Sequence, residues 1–240
     1  DTYIDLIVHG QQNPSLLYFN GTFKMNNDTF RQAINYYFDI SETSLNNVQK
    51  IIVGKYNNSS NKNISLWNVS NVTDMSGAFK NVNHDFNEYL DYWDVSSVTD
   101  MSNMFYGCSN FNKPMESWNV SNVINMESMF FGCINFNKSL TTWDVSSVEN
   151  MNRMFYGCSN FNQNLNAWDI YNVTDMTRMF YNNTVLNQTF IHWEPNVNSI
   201  LEHMFTSAPL VYPSTVAGIP RIIDGTPTYY YFSRRLILTD

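Results

Sequence analysis

Residues 143–165 read W-D-V-S-S-V-E-N-M-N-R-M-F-Y-G-C-S-N-F-N-Q-N-L, and close copies of this stretch recur along the chain. The six tryptophans form one series with separations of 26, 25, 25, 25 and 25 residues: Trp67, Trp93, Trp118, Trp143, Trp168 and Trp193. A constant period in this range is typical of a solenoid, because stacked coils bury a core that no single coil can bury alone. The period predicts a repeat fold of about six coils of 25 residues.

The apolar residues fall into columns when the repeats are aligned on tryptophan. Val or Ile stands two residues after most tryptophans, Val five after, Met eight and eleven after, and Phe twelve after. Each column keeps one shape of side chain, so each residue can pack on its counterpart in the next coil. We therefore assign the tryptophans to the core and not to a sugar-stacking surface.

Two segments of each repeat carry a local structural signal. The spacing L-x-x-W-x-V, as in Met115, Trp118 and Val120, predicts a short strand, and M-x-x-M-F-Y-G-C at residues 151–158 predicts one helical or 3₁₀ turn. Stacked coils would then carry short parallel strands on one face and helical turns on the other. The predicted fold class is a right-handed, leucine-rich-repeat-like solenoid with aromatic and Met side chains replacing many leucines.

The consensus W-[DN]-V-S-[NS]-V-T-[DN]-M-x-x-M-F-x-x-C-x-x-F-N-x-x-L resembles the repeat of BspA-like surface proteins, in the branch abundant in mycoplasma surface lipoproteins. The similarity covers about residues 63–207, and residues 29–35 followed by 63–67 are similar to the helix-then-first-coil entry of such proteins. The resemblance implies a surface-displayed solenoid linked to adhesion and without an active site. Members occur in bacteria, protists and large DNA viruses. The implied location is therefore a cell surface, the extracellular space or a virion surface.

The repeats divide the chain into three parts. Residues 1–62 are predicted to form an N-terminal cap, with an amphipathic helix near 28–40 and a strand near 48–54. Residues 63–207 form the repeat solenoid, and residues 208–240 form an irregular C-terminal cap that ends in a strand over 228–238. Terminal repeats that depart from the consensus are expected where a repeat array is capped.

Composition excludes some classes of function. The formal net charge of −8 argues against nucleic acid, because phosphate binding needs clustered Lys and Arg. Charged residues make up only 14%, and asparagine supplies much of the missing polarity, an excess that an AT-rich genome would also produce. No apolar run approaches the ~20 residues that a transmembrane helix needs.

The three cysteines share one column of the repeat: Cys108, Cys133 and Cys158. Neighbouring coils lie about 4.8 Å apart, so a disulfide or a thiolate metal site is open to them. The same column also accepts Val82 and Ala208, which favours buried thiols that pack as small apolar groups.

Carboxylates follow several tryptophans directly and are predicted to point outward. Asp144, Asp169 and Glu194 stand at this position in three adjacent coils, where a cation such as Ca²⁺ would relieve their repulsion. The alternative is solvated carboxylates that accept hydrogen bonds from neighbouring serines. Asp94, Asp144 and Asp169 are also candidates for a binding surface.

An aromatic column directly follows the core phenylalanines: Tyr106, Phe131, Tyr156 and Tyr181. Adjacent residues of a one-turn helix cannot both face inward, so some of these rings are predicted at the surface, as a contact stripe. Simple packing between the turns of neighbouring coils is the alternative.

No catalytic pattern accompanies the repeat. The four histidines, His9, His84, His192 and His203, have no Ser, Cys or carboxylate at a catalytic or metal-ligand spacing, and G-x-G-x-x-G, P-loop and H-E-x-x-H patterns are missing. We predict a non-enzymatic recognition or adhesion module without a cofactor, binding protein or glycan on another surface. The alternative is a structural component of a virion or envelope that contacts neighbouring copies or capsid proteins.

Overall fold

The computed structural model describes residues 24–37, 64–82, 85–188, 190, 192–209, 215–216, 219–220, 222–223 and 225–227. Helix α1 spans Asn27–Tyr37, and a 3₁₀ turn spans Ile64–Leu66. Four two-residue strands follow the repeats: β1, Thr215–Val216; β2, Ile219–Pro220; β3, Ile222–Ile223; and β4, Thr226–Pro227. β1 pairs with β2 and β3 with β4, both antiparallel.

Helix α1 lies where the sequence predicts an amphipathic helix, near residues 28–40. Its N-terminus is capped by Asn26, whose Oδ1 accepts the N–H of Thr29 at 2.9 Å, while the Thr29 hydroxyl accepts the N–H of Asn26 at 2.9 Å. The strands predicted near 48–54 and over 228–238 lie outside the described residues.

Neighbouring repeats lie side by side and run parallel. One position per repeat, seven residues after tryptophan, bridges to its counterpart in the next repeat: Asp74 to Asp100, Asp100 to Asn125, Asn125 to Asn150, Asn150 to Asp175, and Asp175 to Ile200. The bridges therefore connect six consecutive repeats in sequence order.

The strand predicted at each tryptophan is not formed. Between residues 64 and 209, the described residues contain isolated bridges and no strand. The reason is local, because amides here close turns: the N–H of Trp118 donates to the carbonyl of Met115 at 3.2 Å, and that of Val123 to Val120 at 2.9 Å. These donors are thus unavailable for pairing with a neighbouring repeat.

The segment predicted as a helical turn divides its amides between two kinds of partner. Every second N–H group donates to a carbonyl of the next repeat at 2.7–2.9 Å. These donors belong to Met101, Asn103, Phe105 and Gly107. The N–H groups between them, those of Met104, Tyr106 and Cys108, donate three residues back at 3.0–3.2 Å. Positive φ angles at Asn103 (57°) and Gly107 (78°) accompany this alternation, whereas a helix needs negative φ throughout. A helical turn is therefore the wrong description of this segment.

The core is built from like side chains that stack from repeat to repeat. Phe105, Phe130, Phe155, Phe180 and Phe205 form a continuous stack with ring centroids 5.5–5.6 Å apart and planes within 7°. Trp93, Trp118, Trp143, Trp168 and Trp193 are all buried. Trp67 is only partly buried, because it lies in the first repeat, where no repeat precedes it.

Each buried indole also forms a hydrogen bond to the preceding repeat. The Nε1–H groups of Trp93, Trp118, Trp143, Trp168 and Trp193 donate at 2.8–3.0 Å to the carbonyls of Ile64, Leu90, Met115, Leu140 and Leu165. A buried indole thus has its donor satisfied and its ring packed, which explains the use of tryptophan at this column.

Both ends of the repeat array are capped by hydrogen bonds. In the first repeat, the Oδ1 of Asn27 accepts the N–H of Thr73 at 2.8 Å. In the last repeat, the N–H of Phe205 donates to the carbonyl of Gly225 at 2.6 Å, and that of His203 to the hydroxyl of Thr226 at 2.7 Å. These partners occupy donors that an additional repeat would otherwise satisfy.

Candidate functional site

The aromatic column forms a continuous row, which we call the aromatic row: Tyr106, Phe131, Tyr156 and Tyr181. Adjacent ring centroids lie 4.4, 4.6 and 4.8 Å apart with planes within 9°. All four side chains are half-buried. Because each ring covers the face of its neighbour, and Lys80 Nζ lies 4.9 Å from the Tyr106 centroid at one end, the row offers mainly ring edges and hydroxyls to a ligand.

The carboxylates after tryptophan are exposed and accept local hydrogen bonds. Oδ1 of Asp94 and of Asp144 accepts the hydroxyl of the serine two residues later at 2.6 Å, and Oδ1 of Asp169 accepts the N–H of Tyr171 at 3.1 Å. The hydroxyl and N–H of Ser146 hold the pKa of Asp144 below its ordinary value of 3.8. Glu194 is exposed.

Asp144, Asp169 and Glu194 are not placed together as a group of metal ligands. Within the ranges that the structure describes, no group of three His, Cys, Asp or Glu side chains is placed to hold a metal ion. The carboxylate oxygens of Asp144 and Asp169 are instead directed at donors two residues along their own repeats.

Cys108, Cys133 and Cys158 are buried, free thiols. Each Sγ donates to a carbonyl of the preceding repeat, that of Phe79, Phe105 or Phe130, at 2.9–3.1 Å. Burial raises the pKa of Cys108 to about 12 and raises the pKa values of Cys133 and Cys158 as well. Since metal binding and disulfide exchange both need the thiolate, this column has a packing role.

An open polar groove crosses the repeats on another part of the surface, and we call it the asparagine groove. It has a volume of about 670 Å³. Seven asparagines and one valine line it: Asn87, Asn110, Asn112, Asn135, Asn137, Asn160, Asn162 and Val185. No lining residue carries a formal charge, so the groove is suited to binding by neutral hydrogen bonds and not to acid–base or metal chemistry.

The recurring triplet Asn-Phe-Asn produces the groove. Phe111, Phe136 and Phe161 point inward and are fully buried, and the asparagines on either side of each point outward. Two rows of amides result, since alternate residues of an extended segment face opposite sides. The upstream row is Asn110, Asn135 and Asn160, and the downstream row is Asn87, Asn112, Asn137 and Asn162.

The downstream row supports the backbone of the next repeat. The Oδ1 atoms of Asn87, Asn112 and Asn137 accept the N–H groups of Asn112, Asn137 and Asn162 at 2.9–3.0 Å. These bonds use the amide oxygen and not the amino group. Among the described residues, the Nδ2 groups of Asn112, Asn137 and Asn162 have no hydrogen-bond acceptor.

The side chains of the upstream row are hydrogen-bonded to one another. Asn110 Nδ2 donates to Asp85 Oδ1 at 3.3 Å, Asn135 Nδ2 to Asn110 Oδ1 at 2.9 Å, and Asn160 Nδ2 to Asn135 Oδ1 at 3.2 Å. All three asparagines are exposed. A primary amide has two N–H donors and two oxygen lone pairs. Asn110 and Asn135 each use one N–H and one lone pair within the row, so each keeps one N–H and one lone pair that no described residue engages. Val185 ends the row in the next repeat.

Comparison with known families places the chain. The family model described as "Mycoplasma protein of unknown function, DUF285" matches residues 47–140 and, in a second overlapping match, residues 116–214. The chain belongs to the DUF285 family. The two DUF285 matches contain the cysteine column, the aromatic row and every residue of the asparagine groove. No curated protein and no solved structure matches the chain.

The asparagine groove was missed in the sequence of this DUF285 protein, although its signal is visible there. Asn-Phe-Asn recurs at residues 110–112, 135–137 and 160–162, at the same distance from tryptophan. An AT-rich genome accounts for a high asparagine content. Placement at fixed outward columns is the feature that composition alone cannot produce. Separately, none of the helices within the described ranges has the length and apolar content needed to cross a membrane.

Proposed function

We propose that this DUF285 protein is a right-handed, leucine-rich-repeat-like solenoid of the BspA-like type. Two observations support the proposal. The parallel bridges join six successive repeats in order, and like side chains stack on like along the core. The Mycoplasma description of the family agrees with the mycoplasma branch that the repeat resembles.

We further propose that the solenoid acts without catalysis, as a recognition or adhesion module on a cell, extracellular or virion surface. The asparagine groove is the observation that carries this proposal. It is an open surface, continuous over several repeats, whose amides keep hydrogen-bonding groups for another molecule. The side chains of the core columns are buried and stack on one another, so only outward-facing rows such as these are accessible to a ligand. Protein or glycan on another surface is the proposed partner.

Array screening of the intact chain tests this function. Labelled protein is applied to glycan arrays and to arrays of surface and extracellular proteins, with heat-unfolded chain as control. Saturable binding by the folded chain alone is the expected result. If no ligand binds, and the chain is found instead in ordered, stoichiometric arrays on a particle, the structural alternative replaces recognition.

A further inference from the structure

We propose that the asparagine groove binds an uncharged, hydroxyl-rich glycan chain that lies across the repeats. This inference rests on the proposed recognition function and names its ligand class. The aromatic row is a different surface, and its ring faces are already covered by one another.

The chemistry of the two amide rows matches that of sugar hydroxyls. A hydroxyl both donates and accepts a hydrogen bond, and neighbouring hydroxyls on a sugar ring present these functions side by side. In one repeat, among the described residues, Asn135 keeps one free N–H and one free lone pair. Asn137, on the other side of Phe136 in sequence, lines the same groove and adds the donors of its Nδ2 group. Each repeat therefore offers both donors and acceptors to the same ligand.

The groove repeats this arrangement in register. Equivalent amides recur at the spacing of hydrogen-bonded neighbouring chains, ~4.8 Å, so the downstream row from Asn87 to Asn162 extends over about 14 Å. Several sugar rings in a row fit such a span. A linear oligosaccharide can thus engage several equivalent sites, and its affinity rises with chain length until the groove is filled.

The electrostatics favour a neutral ligand over an anionic one. The groove lining carries no formal charge, and the protein as a whole carries a net charge of −8. Nearby Lys113 lies over the Tyr89 ring at 3.9 Å. A polyanionic glycan would therefore meet repulsion, and Lys113 and Lys138, which directly follow Asn112 and Asn137, supply too little positive charge to offset it.

A peptide ligand fits the groove less well. Strand addition requires a sheet edge with free backbone N–H and C=O groups, whereas this surface presents side-chain amides. Protein interfaces also usually centre on aromatic or other apolar anchors in a pocket. Val185 is the one apolar residue of the lining.

The test compares two double variants of the intact chain. Asn135→Val with Asn160→Val removes upstream amides from the groove, and Asn122→Val with Asn172→Val makes the same change on another outward column. Both columns contain valine in a later repeat, Val185 and Val197 respectively. Each of the four substitutions replaces an exposed asparagine and removes one side-chain hydrogen bond to the preceding repeat. The two double variants are therefore matched in the contacts that they lose.

Binding is measured by calorimetry with maltohexaose, cellohexaose, laminarihexaose and chitohexaose, with a heparin hexasaccharide as the anionic probe. At least one neutral hexasaccharide should bind, with little dependence on salt and more tightly than its disaccharide. The groove double variant should lose about tenfold in affinity, the amount expected for two lost hydrogen bonds, and the control variant should bind like the parent. Circular dichroism establishes that both variants are folded.

Four results would overturn the inference. Equal binding by the two double variants would place the glycan elsewhere, and salt-sensitive binding of heparin alone would replace the neutral ligand with an anionic one. Failure of every neutral glycan, while an arrayed protein binds, would reject the glycan and leave the recognition function standing. Failure of all ligands would reject both.

Discussion

At the scale of single residues, each interior tryptophan contacts the repeats on both sides of its own, one by a hydrogen bond and the other by ring stacking. Trp118 stacks on Trp143 at a centroid distance of 6.3 Å, and its Nε1–H donates to the carbonyl of Leu90 at 2.9 Å. The ring packs toward the following repeat, and the hydrogen bond reaches the preceding one. One side chain therefore contributes to the stability of three consecutive repeats.

Replacing Trp118 separates these contributions. Trp118→Ala should lower the free energy of unfolding by about 3–5 kcal/mol, because it leaves a large cavity in the stack. Trp118→Phe keeps a ring but removes one of the two donors to the Leu90 carbonyl, which still accepts the N–H of Trp93 at 3.0 Å, so the cost should be about 0.5–1.5 kcal/mol. Urea denaturation followed by circular dichroism measures both. Parent-like denaturation of the alanine variant would refute the core assignment.

Asn183 is an exception in the cysteine column and is predicted to reduce stability. Its side chain is fully buried, and neither its Oδ1 nor its Nδ2 has a hydrogen-bond partner among the described residues. An unsatisfied buried amide costs about 1–3 kcal/mol. A thiol at this position would instead donate to the carbonyl of Phe155, as Cys158 donates to that of Phe130.

Asn183→Cys should therefore raise the melting temperature, and the reciprocal variant Cys133→Asn should lower it. Thermal unfolding under reducing conditions measures both, and Thr184→Cys, at an exposed position close by, controls for the added thiol. A lower melting temperature for Asn183→Cys would mean that the buried amide has a partner after all.

Because the three thiols are buried, we expect the free energy of unfolding to depend on pH in the alkaline range. Burial raises the pKa of Cys108 from 9.0 to about 12, so the folded chain keeps a proton that the unfolded chain releases above pH 9. The folded state then binds more protons than the unfolded state, and stability falls as pH rises from about 9 toward 12. Below pH 9 the column has no effect on the pH dependence.

Urea denaturation between pH 7 and 11 measures this slope. Replacing all three cysteines by alanine, a residue that the column already accepts at Ala208, should remove the cysteine part of the slope. Identical slopes for parent and variant would show that the thiols ionise equally in both states.

At the scale of elements, α1 packs against the N-terminal repeats. Phe30 is fully buried and meets the Trp93 ring edge-on at 5.7 Å, whereas Arg31 forms a half-exposed ion pair with Asp74 at 2.9 Å. Burial raises the pKa of Asp74, but hydrogen bonds from Ser76 and Arg31 outweigh it, so the net pKa lies below 3.8. The apolar contact is the larger contribution, because exposed ion pairs contribute at most about 1 kcal/mol.

Phe30→Ala should consequently open the N-terminal end of the array without unfolding the whole. Hydrogen exchange should become faster at residues 64–82 and stay unchanged at residues 140–188, since each repeat contacts only its neighbours. Arg31→Ala is the matched control and should change exchange only slightly. Uniform acceleration along the chain would show that the repeats unfold as a single cooperative unit.

At the scale of the whole molecule, the period predicts which deletions the chain tolerates. Removing residues 118–142 takes out one full 25-residue unit and joins Ser117 to Trp143, so every column stays in register. The shortened chain should fold with a lower melting temperature, because it has one fewer interface between repeats. Removing residues 118–130, only 13 residues, breaks the columns and should cost more than the longer deletion.

Circular dichroism and thermal melting compare the two deletions. The full-unit deletion should also shorten the asparagine groove by one repeat, removing Asn135 and Asn137. Greater stability for the 13-residue deletion would show that register between repeats does not hold the array together.

The sequence alone determined which side chains face inward, because stacking like on like requires the same shape at the same place in every repeat. Tryptophan, valine, methionine and phenylalanine columns could thus be assigned from the 25-residue period without any coordinates. It also predicted the cap helix, whose apolar residues Phe30, Ala33 and Ile34 have helical spacing.

Only the tertiary structure decided where the backbone and side-chain hydrogen bonds go. An N–H in the segment around Phe105 can close a local turn or reach the next repeat, and the neighbouring chain, not the local sequence, selects between them. The asparagine rows depend on partners 25 residues apart, and Asn27 depends on Thr73, 46 residues away. Local propensity contains no information about such distant partners, so the strand at tryptophan was predicted wrongly and the groove was missed.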